Sequence, residues 1–317
     1  MKLFKKVLFI GFGCVLPWVL SASYYHLISG TDLSMKPVAF KGEKGPHVAL
    51  VTYADGLEQF HQNRNTLAYT AIDRGFDFTF NYQRSHIDEE FLKKNPILNE
   101  KPGVGFWLWK PYFILKALDR LQDGEYLLYA DSGFLLRDGF RDFVINMMTE
   151  SKKDIALFAY APKDHGTAVS CASADVFKAL KCEGEACQKS PHVMGGLVFI
   201  KNTPTTRAFI KQWLDYCCDA DLLTGRNQKE PALHGHSHHQ HDEGILSVLA
   251  GRENNLIVYV PADQEFFKHI RMHRRKANTE SLWPYTSDAL YREEKYFLQL
   301  LLPKVVTDFF IKNSNSK

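Results

Sequence analysis

The sequence has little net charge. Its 39 lysine and arginine residues are almost balanced by 36 aspartate and glutamate residues, which leaves a formal net charge of +3. Proteins that bind nucleic acid or another polyanion usually carry a strong positive field. The composition therefore predicts no nucleic-acid partner.

Several common sequence signatures are also absent. The chain contains no internal repeat and no long low-complexity tract, which argues against a repeat protein. It has no C2H2 finger spacing, no P-loop and no G-x-G-x-x-G motif that opens a helix. These absences remove the usual sequence evidence for a zinc finger, a P-loop nucleotide hydrolase or a dinucleotide-binding domain.

The chain does contain enough apolar residues for a full core. It has 317 residues, of which 45% are hydrophobic, and this suits one large α/β domain or two smaller ones. Six cysteines fit an oxidising compartment. Cys182 and Cys187 flank a short loop that a disulfide could close, and the other candidates are Cys171, Cys217 and Cys218, so the connectivity stays open. A zinc site is the alternative, but the spacings match no common set of ligands.

The N-terminal segment predicts a membrane anchor. Lysines within residues 1–6 precede an uncharged, largely apolar run over residues 7–28. Under the positive-inside tendency, residues 1–6 form a cytoplasmic tail, residues 7–28 a transmembrane signal anchor and residues 29–46 a stem. Residues 47–317 then form one domain on the translocated side of the membrane, lumenal or periplasmic.

A cleaved signal peptide is the alternative. The most apolar part of the run is short for a membrane span, and the small residues Ser21, Ala22 and Ser23 offer a cleavage point. The protein would then be secreted. The anchor is preferred because the uncharged stretch continues to Ile28.

Residues 103–133 contain the clearest structural pattern. Pro111 suits the first turn of a helix, where its missing N–H has no consequence, and apolar residues follow at helical spacing. Residues 126–130 are an apolar run typical of a strand buried on both faces. Asp131 stands at the end of that strand. Because ligands of open α/β sheets bind at the carboxyl ends of strands, Asp131 is placed to meet a ligand or a metal.

Other segments supply flanking strands. Residues 47–53 and 76–82 are predicted strands on either side of a helix over residues 57–74, an order that favours a doubly wound α/β sheet. The paired glycines Gly195 and Gly196 enter a later strand, where missing side chains let a ligand approach the backbone closely.

A histidine-rich tract occupies residues 234–241, and Asp242 and Glu243 follow it at the start of an amphipathic helix. Such a tract weakly indicates metal binding, and a solvated loop is the alternative. Acidic side chains at a helix N-terminus also stabilise the helix through its dipole, so Asp242 has a purely structural alternative. The basic cluster at residues 271–276 has three alternatives, which are a diphosphate site, a contact with an anionic membrane surface and a solvated loop.

Three of these segments together resemble a known family. Residues 107–112 read W-L-W-K-P-Y, residues 123–133 read D-G-E-Y-L-L-Y-A-D-S-G, and residues 239–242 read H-Q-H-D. In this order they are similar to the hexosyltransferase-like proteins of the GT-A glycosyltransferase fold. The resemblance covers most of residues 47–275.

The resemblance implies a fold and an activity. The fold would be α/β, GT-A-like and Rossmann-like, with a mixed, mainly parallel sheet flanked by helices and an N-terminal membrane helix. The activity would be transfer of a hexose from a nucleotide-sugar donor to a hydroxyl of a glycan or glycoconjugate acceptor. A non-catalytic carbohydrate- or nucleotide-sugar-binding protein of the same fold is the alternative. A zinc-dependent hydrolase built on the histidine tract ranks last, because the chain has no His-Glu-x-x-His pattern.

The resemblance also implies roles for particular residues. Asp242 and Glu243 are the expected catalytic carboxylates, because an inverting transferase needs a general base at the acceptor hydroxyl. Asp131 and His241 are the expected ligands of a divalent ion, Mn²⁺, which accepts imidazole alongside oxygen. The second aspartate of the family's Asp-x-Asp motif is missing after Asp131, which supports the non-catalytic alternative. The residues expected to contact the donor nucleotide are Thr52, Tyr53, Arg84, Trp109, Lys110, Asp131, Ser132, Gly195, Gly196 and His273.

Overall fold

The computed structural model describes residues 46–160 and 166–272. The predicted tail, the predicted anchor and nearly all of the predicted stem lie outside the described residues, as do His273 and the last part of the predicted domain. Within the described ranges, no helix is both long enough and apolar enough to cross a bilayer.

Strands and helices alternate along much of the chain. The strands are β1 (Val48–Tyr53), β2 (Phe78–Tyr82), β3 (Tyr126–Ala130), β4 (Phe134–Leu136), β5 (Ile155–Ala159), β6 (Val193–Lys201), β7 (Ile257–Pro261) and β8 (Ile270–Met272). The helices are α1 (Glu58–Asp73), α2 (Glu89–Lys94), α3 (Trp109–Leu118), α4 (Phe140–Ser151), α5 (Ala168–Cys171), α6 (Ala174–Ala179), α7 (Glu185–Gln188), α8 (Pro204–Cys217), α9 (Ala220–Thr224), α10 (His241–Arg252) and α11 (Gln264–His269). Two single turns of 3-10 helix, Arg84–His86 and Pro96–Asn99, and a distorted helical turn, Gly103–Phe106, lie between β2 and α3.

A six-stranded sheet in the order β2-β1-β3-β6-β5-β7 forms the centre of the domain. β1 is parallel to β2 and β3, and β5 is parallel to β7. β6 is antiparallel to both of its neighbours, β3 and β5. The predicted α/β class with a mixed, mainly parallel sheet is therefore confirmed.

Both faces of the sheet are covered. Alternate residues of β1 belong to two separate apolar clusters, with Ala49 and Val51 in one and Val48 and Leu50 in the other. Side chains of a strand alternate between the faces of a sheet, so each cluster is the core of one face. Double burial explains why β1, β3 and β5 are continuous apolar runs without polar alternation.

The pattern predicted for residues 103–133 is confirmed with small shifts. α3 begins at Trp109 instead of Pro111, and β3 has the predicted bounds. The sequence does not predict β4, which pairs antiparallel with β8 in a small second sheet. Strands of three residues are too short to show a period, and pairing with a distant segment defines them.

A disulfide joins Cys182 to Cys187, the pair whose spacing allows one. The Sγ atom of Cys182 lies 3.7 Å from the carbonyl oxygen of Val248 in α10. Cys171 and Cys217 are buried free thiols. The disulfide therefore closes the loop between α6 and α7 next to α10, the helix that carries the predicted catalytic carboxylates.

Candidate active site

A cleft of about 1110 Å³ opens at the carboxyl ends of β1 and β3. Its walls come from the end of β1, one face of α1, the turn at residues 101–104, and the start of α10. Because β6 runs against β3, the beginning of β6 also lies there, with Leu197 opposite Ala130. The cleft thus lies where the strand directions change, a common position for ligand sites in α/β sheets.

Most of the predicted site residues share this cleft. Those that line it are Tyr53, Trp109, Lys110, Asp131, Ser132, Gly196, His241, Asp242 and Glu243. Thr52 is fully buried within β1 and is not part of the lining. Arg84 also lies outside the lining, and its guanidinium donates to the carbonyl oxygen of Leu98 at 2.8 Å. His273 lies outside the described residues.

Lys110 joins two of the predicted carboxylates. Its Nζ lies 2.9 Å from Oδ2 of Asp242 and 3.9 Å from Oδ1 of Asp131, and only 4% of its side chain is exposed. Burial alone would lower the pKa of Lys110, but Asp131 and Asp242 together raise it above its usual value. The ammonium is therefore charged, and we call these three residues the Lys110 cluster.

Asp131 is the most open member of the Lys110 cluster, with 26% of its side chain exposed. The hydroxyl of Tyr129 donates to Oδ1 of Asp131, and the backbone N–H of Asp131 donates to the carbonyl oxygen of Gly196 at 2.9 Å. A Cβ atom at Gly196 would lie 2.7 Å from Oδ2 of Asp131. A side chain at position 196 would therefore displace the carboxylate of Asp131.

Asp242 is almost fully enclosed, with 3% of its side chain exposed. It lies in the first turn of α10, and its backbone carbonyl accepts a hydrogen bond of 2.9 Å from Nε1 of Trp213. Burial raises the pKa of Asp242 to about 7, although Lys110 acts in the opposite direction. Asp242 therefore depends on Lys110 to remain ionised.

Glu243 has both carboxylate oxygens occupied. Nε2 of His192 donates to Oε1 at 2.8 Å, and the backbone N–H of Gly195 donates to Oε2 at 2.7 Å. Burial would lower the pKa of His192, but hydrogen bonding to Cys171 and Glu243 raises it to about 10. Glu243 thus forms an ion pair with a buried imidazolium and connects α10 to the start of β6.

Two histidines of the tract are anchored to the end of α9. Nε2 of His239 and Nδ1 of His241 both donate to the carbonyl oxygen of Leu223, at 3.1 Å and 3.0 Å. Burial lowers the pKa of His241, so its ring is neutral and its Nε2 keeps a free lone pair. That tautomer is the one a metal ligand needs.

A complete metal site is not formed by the described residues. Within residues 46–160 and 166–272, no three side chains of His, Cys, Asp or Glu come together as a set of metal ligands. Asp131 and His241 line the same cleft, but a divalent ion bound there would need further oxygen ligands. Such ions often take these from substrate phosphates when the protein supplies few carboxylates.

An aromatic wall closes one side of the cleft. The rings of Tyr53 and Trp109 stack with centroids 4.0 Å apart, and Nε1 of Trp109 donates to the carbonyl oxygen of Gly103 at 2.9 Å.

The backbone next to this wall has an unusual conformation. Val104 and Trp107 have left-handed backbone angles, with φ of 52° and 61°. Such angles are rare for a β-branched residue and are found mostly where function or packing demands them.

Sequence reasoning misses several residues of the site. Tyr129 and Asp131 are two positions apart, so the alternation of a strand could have placed them on one face. His192 could also have been found, because it lies just before the strand that contains the paired glycines. Asn63 carries no such signal, because its burial depends on how α1 packs against β1.

His239 predicts a loss of stability at acidic pH. Burial, and secondarily His241, lowers the pKa of His239 to about 4, whereas the pKa of an unfolded histidine is about 6.5. Between these values the unfolded chain binds more protons, so stability falls as the pH drops through this window. A further physical reason is that Nδ1 of His239 accepts a hydrogen bond from the backbone N–H of Ser173, which protonation prevents.

Urea unfolding of wild-type protein and His239→Asn between about pH 7 and about pH 4 measures this effect. The free energy of unfolding should fall less steeply with decreasing pH in His239→Asn than in the wild type. The variant His234→Asn, at an exposed position, should follow the wild type. An unchanged slope in His239→Asn would contradict the assignment.

Two comparisons of the sequence with known proteins found no match. No protein-family model matches the sequence, and no curated protein matches it. Among solved structures, mouse xyloside xylosyltransferase 1 in its apo form aligns with a TM-score of 0.39 and 8% identity, over 68% of this chain and 84% of that one. The bifunctional glycosyltransferase WbbM aligns with a TM-score of 0.39 and 9% identity, over 70% of this chain and 40% of that one.

The galactosyltransferase LgtC, in complex with donor and acceptor sugar analogues, aligns with a TM-score of 0.36 and 12% identity, over 80% of this chain and 95% of that one. These structures are glycosyltransferases by name. At TM-scores this low, the likenesses assign neither a fold family nor an activity to this chain.

Proposed function

We propose that this protein is a glycosyltransferase that moves a hexose from a nucleotide-sugar donor to a hydroxyl of a glycan or glycoconjugate. One observation carries the proposal. The three sequence segments that resemble hexosyltransferase-like proteins meet in one cleft through the Lys110 cluster, because each segment contributes one of its members. The third segment is far from the other two in the chain, and a role as a local helix cap alone would not require Asp242 to pair with Lys110.

The Lys110 cluster explains what the chain itself contributes to donor binding. The ammonium of Lys110 is shared between two carboxylates, so it positions them instead of standing free for a diphosphate. Asp131 is the carboxylate that a ligand can reach, and the aromatic wall of Tyr53 and Trp109 is next to it in the cleft.

The leaving diphosphate needs added positive charge, because the two carboxylates of the Lys110 cluster outnumber its one ammonium. Lys101 lines the cleft and is one source of that charge. A Mn²⁺ ion held by Asp131 and His241, with oxygens of the donor, is the other, and when bound it would neutralise charge on the leaving group. Manganese therefore remains part of the proposal.

A second candidate function is a non-catalytic nucleotide-sugar-binding protein of the same kind. Its support is that neither predicted catalytic carboxylate is free. Asp242 is buried against Lys110, and Glu243 is engaged by His192 and by the N–H of Gly195. A general base at the acceptor hydroxyl would have to leave one of these contacts.

Turnover separates the two candidates. The purified protein is incubated with a panel of nucleotide sugars and simple glycan acceptors, with Mn²⁺ or with a chelator, and released nucleoside diphosphate is measured. A transferase releases it in an acceptor-dependent manner. With Mn²⁺ present, Asp131→Asn should weaken donor binding about tenfold or more, because a carboxylate ligand of the ion is lost. If the protein binds a donor but releases no nucleoside diphosphate from any donor, with Mn²⁺ or with the chelator, the non-catalytic candidate is favoured.

The cellular setting belongs to the same proposal. Residues 7–28 would hold the domain at the translocated face of a membrane, with secretion after signal cleavage as the alternative.

A further inference from the structure

Asn63 is a buried polar residue with an unmatched oxygen. It lies in α1 with 4% of its surface exposed, and among the described residues its Oδ1 has no hydrogen-bond partner. Asn63 also lines the candidate cleft. A buried carbonyl oxygen without a partner destabilises the fold, and native proteins rarely keep one without a reason.

The surroundings of Asn63 indicate what could satisfy it. Phe60 lies three residues earlier on the same helix, so both side chains lie on one face of α1. Phe60 also lines the cleft and is 39% exposed, which is unusual for so large an apolar ring. This face of α1 therefore offers the cleft an aromatic surface and a hydrogen-bonding amide side by side.

We infer that Asn63 and Phe60 form the subsite for the base of a nucleotide, in which Asn63 accepts a hydrogen bond from the base edge and Phe60 packs on its face. The inference rests on the proposed function, because it names the part of the cleft that receives the donor's base. Nucleobases suit the pair because each presents a flat π face and an N–H at its edge. A hexose has hydroxyls but no such face.

The position of the subsite agrees with the rest of the cleft. α1 packs against β1, whose end supplies Tyr53 and Asp55 to the cleft lining. Asp131, the most open member of the Lys110 cluster, follows the end of the next strand in the sheet, β3. A nucleoside diphosphate could then place its base at the β1 side and its phosphates towards Asp131.

Replacing Asn63 by leucine tests the inference. The affinities of four nucleoside diphosphates, UDP, GDP, ADP and CDP, are measured by calorimetry with Mn²⁺ and again with a chelator, together with inorganic pyrophosphate, which has no base. Asn63→Leu should weaken the best-bound nucleotide about tenfold, the value of one buried hydrogen bond, and leave pyrophosphate unchanged. The melting temperature without ligand should not fall, because the substitution removes an unsatisfied oxygen. Asn63→Ala should show the same loss of affinity if leucine proves too large.

Asn65 is the matched control on the same helix. It is 5% exposed, but its Oδ1 accepts hydrogen bonds from Nε and Nη2 of Arg64 at 3.2 Å and 3.0 Å. Asn65→Leu should therefore lower the melting temperature and leave nucleotide affinity unchanged, the opposite of Asn63→Leu.

The outcomes separate the inference from the proposed function. If wild-type protein binds none of the four nucleotides, both are wrong. If it binds one of them and Asn63→Leu and Asn63→Ala bind it equally well, only the base subsite is wrong. Equal weakening of nucleotide and pyrophosphate would assign Asn63 to the phosphates and overturn the inference in that way.

Discussion

Replacing Lys110 by methionine should lower the free energy of unfolding by about 3–5 kcal/mol, the usual effect of removing one partner of a buried ion pair. Methionine preserves most of the volume of the lysine side chain. It leaves Asp242 enclosed without its ammonium partner, and Asp131 close by adds a second negative charge. Asp242 can then avoid an unpaired buried charge only by taking up a proton or by a shift of the surrounding structure.

A double-mutant cycle separates the lost charge pair from lost packing. Asp242→Asn alone should destabilise less, by about 1–3 kcal/mol, because Asp131 remains as a partner for Lys110. The double variant Lys110→Met/Asp242→Asn has no unpaired buried charge. The double variant should therefore lose less unfolding free energy than the sum of the two single variants, by about 1–3 kcal/mol.

Lys116 supplies the control for this cycle. It lies on the same helix, but its ion pair is with the exposed carboxylate of Asp88. Lys116→Met should change stability by about 1–2 kcal/mol, because it loses a partly exposed ion pair and the hydrogen bond from Nζ to the carbonyl oxygen of His86 at 2.9 Å. Urea unfolding of the five proteins measures all of these values. Strictly additive losses at Lys110 and Asp242 would show that the lysine acts through packing alone.

The Lys110 cluster also shows what the sequence predicts and what it leaves out. The position of Asp131 follows from the apolar run before it, because a strand of that composition must be buried and its carboxyl end is where ligands bind. The partner of Lys110 does not follow from any local pattern. α3 and α10 are far apart in the chain, and only the packed fold brings Asp242 to the lysine. The sequence therefore predicts a diphosphate contact for Lys110, whereas its observed contacts are with carboxylates.

The paired glycines give a similar lesson. The sequence predicts that a ligand approaches the backbone closely at Gly195 and Gly196. In the structure the protein's own carboxylates lie there, since a Cβ at Gly195 would lie 3.2 Å from Oε2 of Glu243 and one at Gly196 would lie 2.7 Å from Oδ2 of Asp131. The sequence shows that a side chain is missing at these positions, but only the folded chain shows which groups occupy the space.

The two carboxylates at the start of α10 should differ sharply when each is neutralised. Asp242→Asn should reduce turnover about 100- to 10,000-fold, the range expected when a group that transfers a proton is lost, while nucleotide affinity is retained. Glu243→Gln should act mainly on stability. The glutamine can keep a hydrogen bond to one of its two partners, but it loses the ion pair with His192. We expect a loss of about 1–3 kcal/mol and a smaller effect on turnover.

The comparison of these two variants decides which carboxylate performs chemistry. Turnover is measured with the donor and acceptor that the wild-type protein accepts, and each rate is corrected for the folded fraction found by urea unfolding. His192→Gln serves as a further control, because it breaks the same ion pair from the other side and should resemble Glu243→Gln. If Glu243→Gln abolishes turnover while the protein stays folded and Asp242→Asn does not, the roles are reversed. Asp242 would then serve only to hold Lys110, and Glu243 would have to leave His192 and the N–H of Gly195 to reach the acceptor.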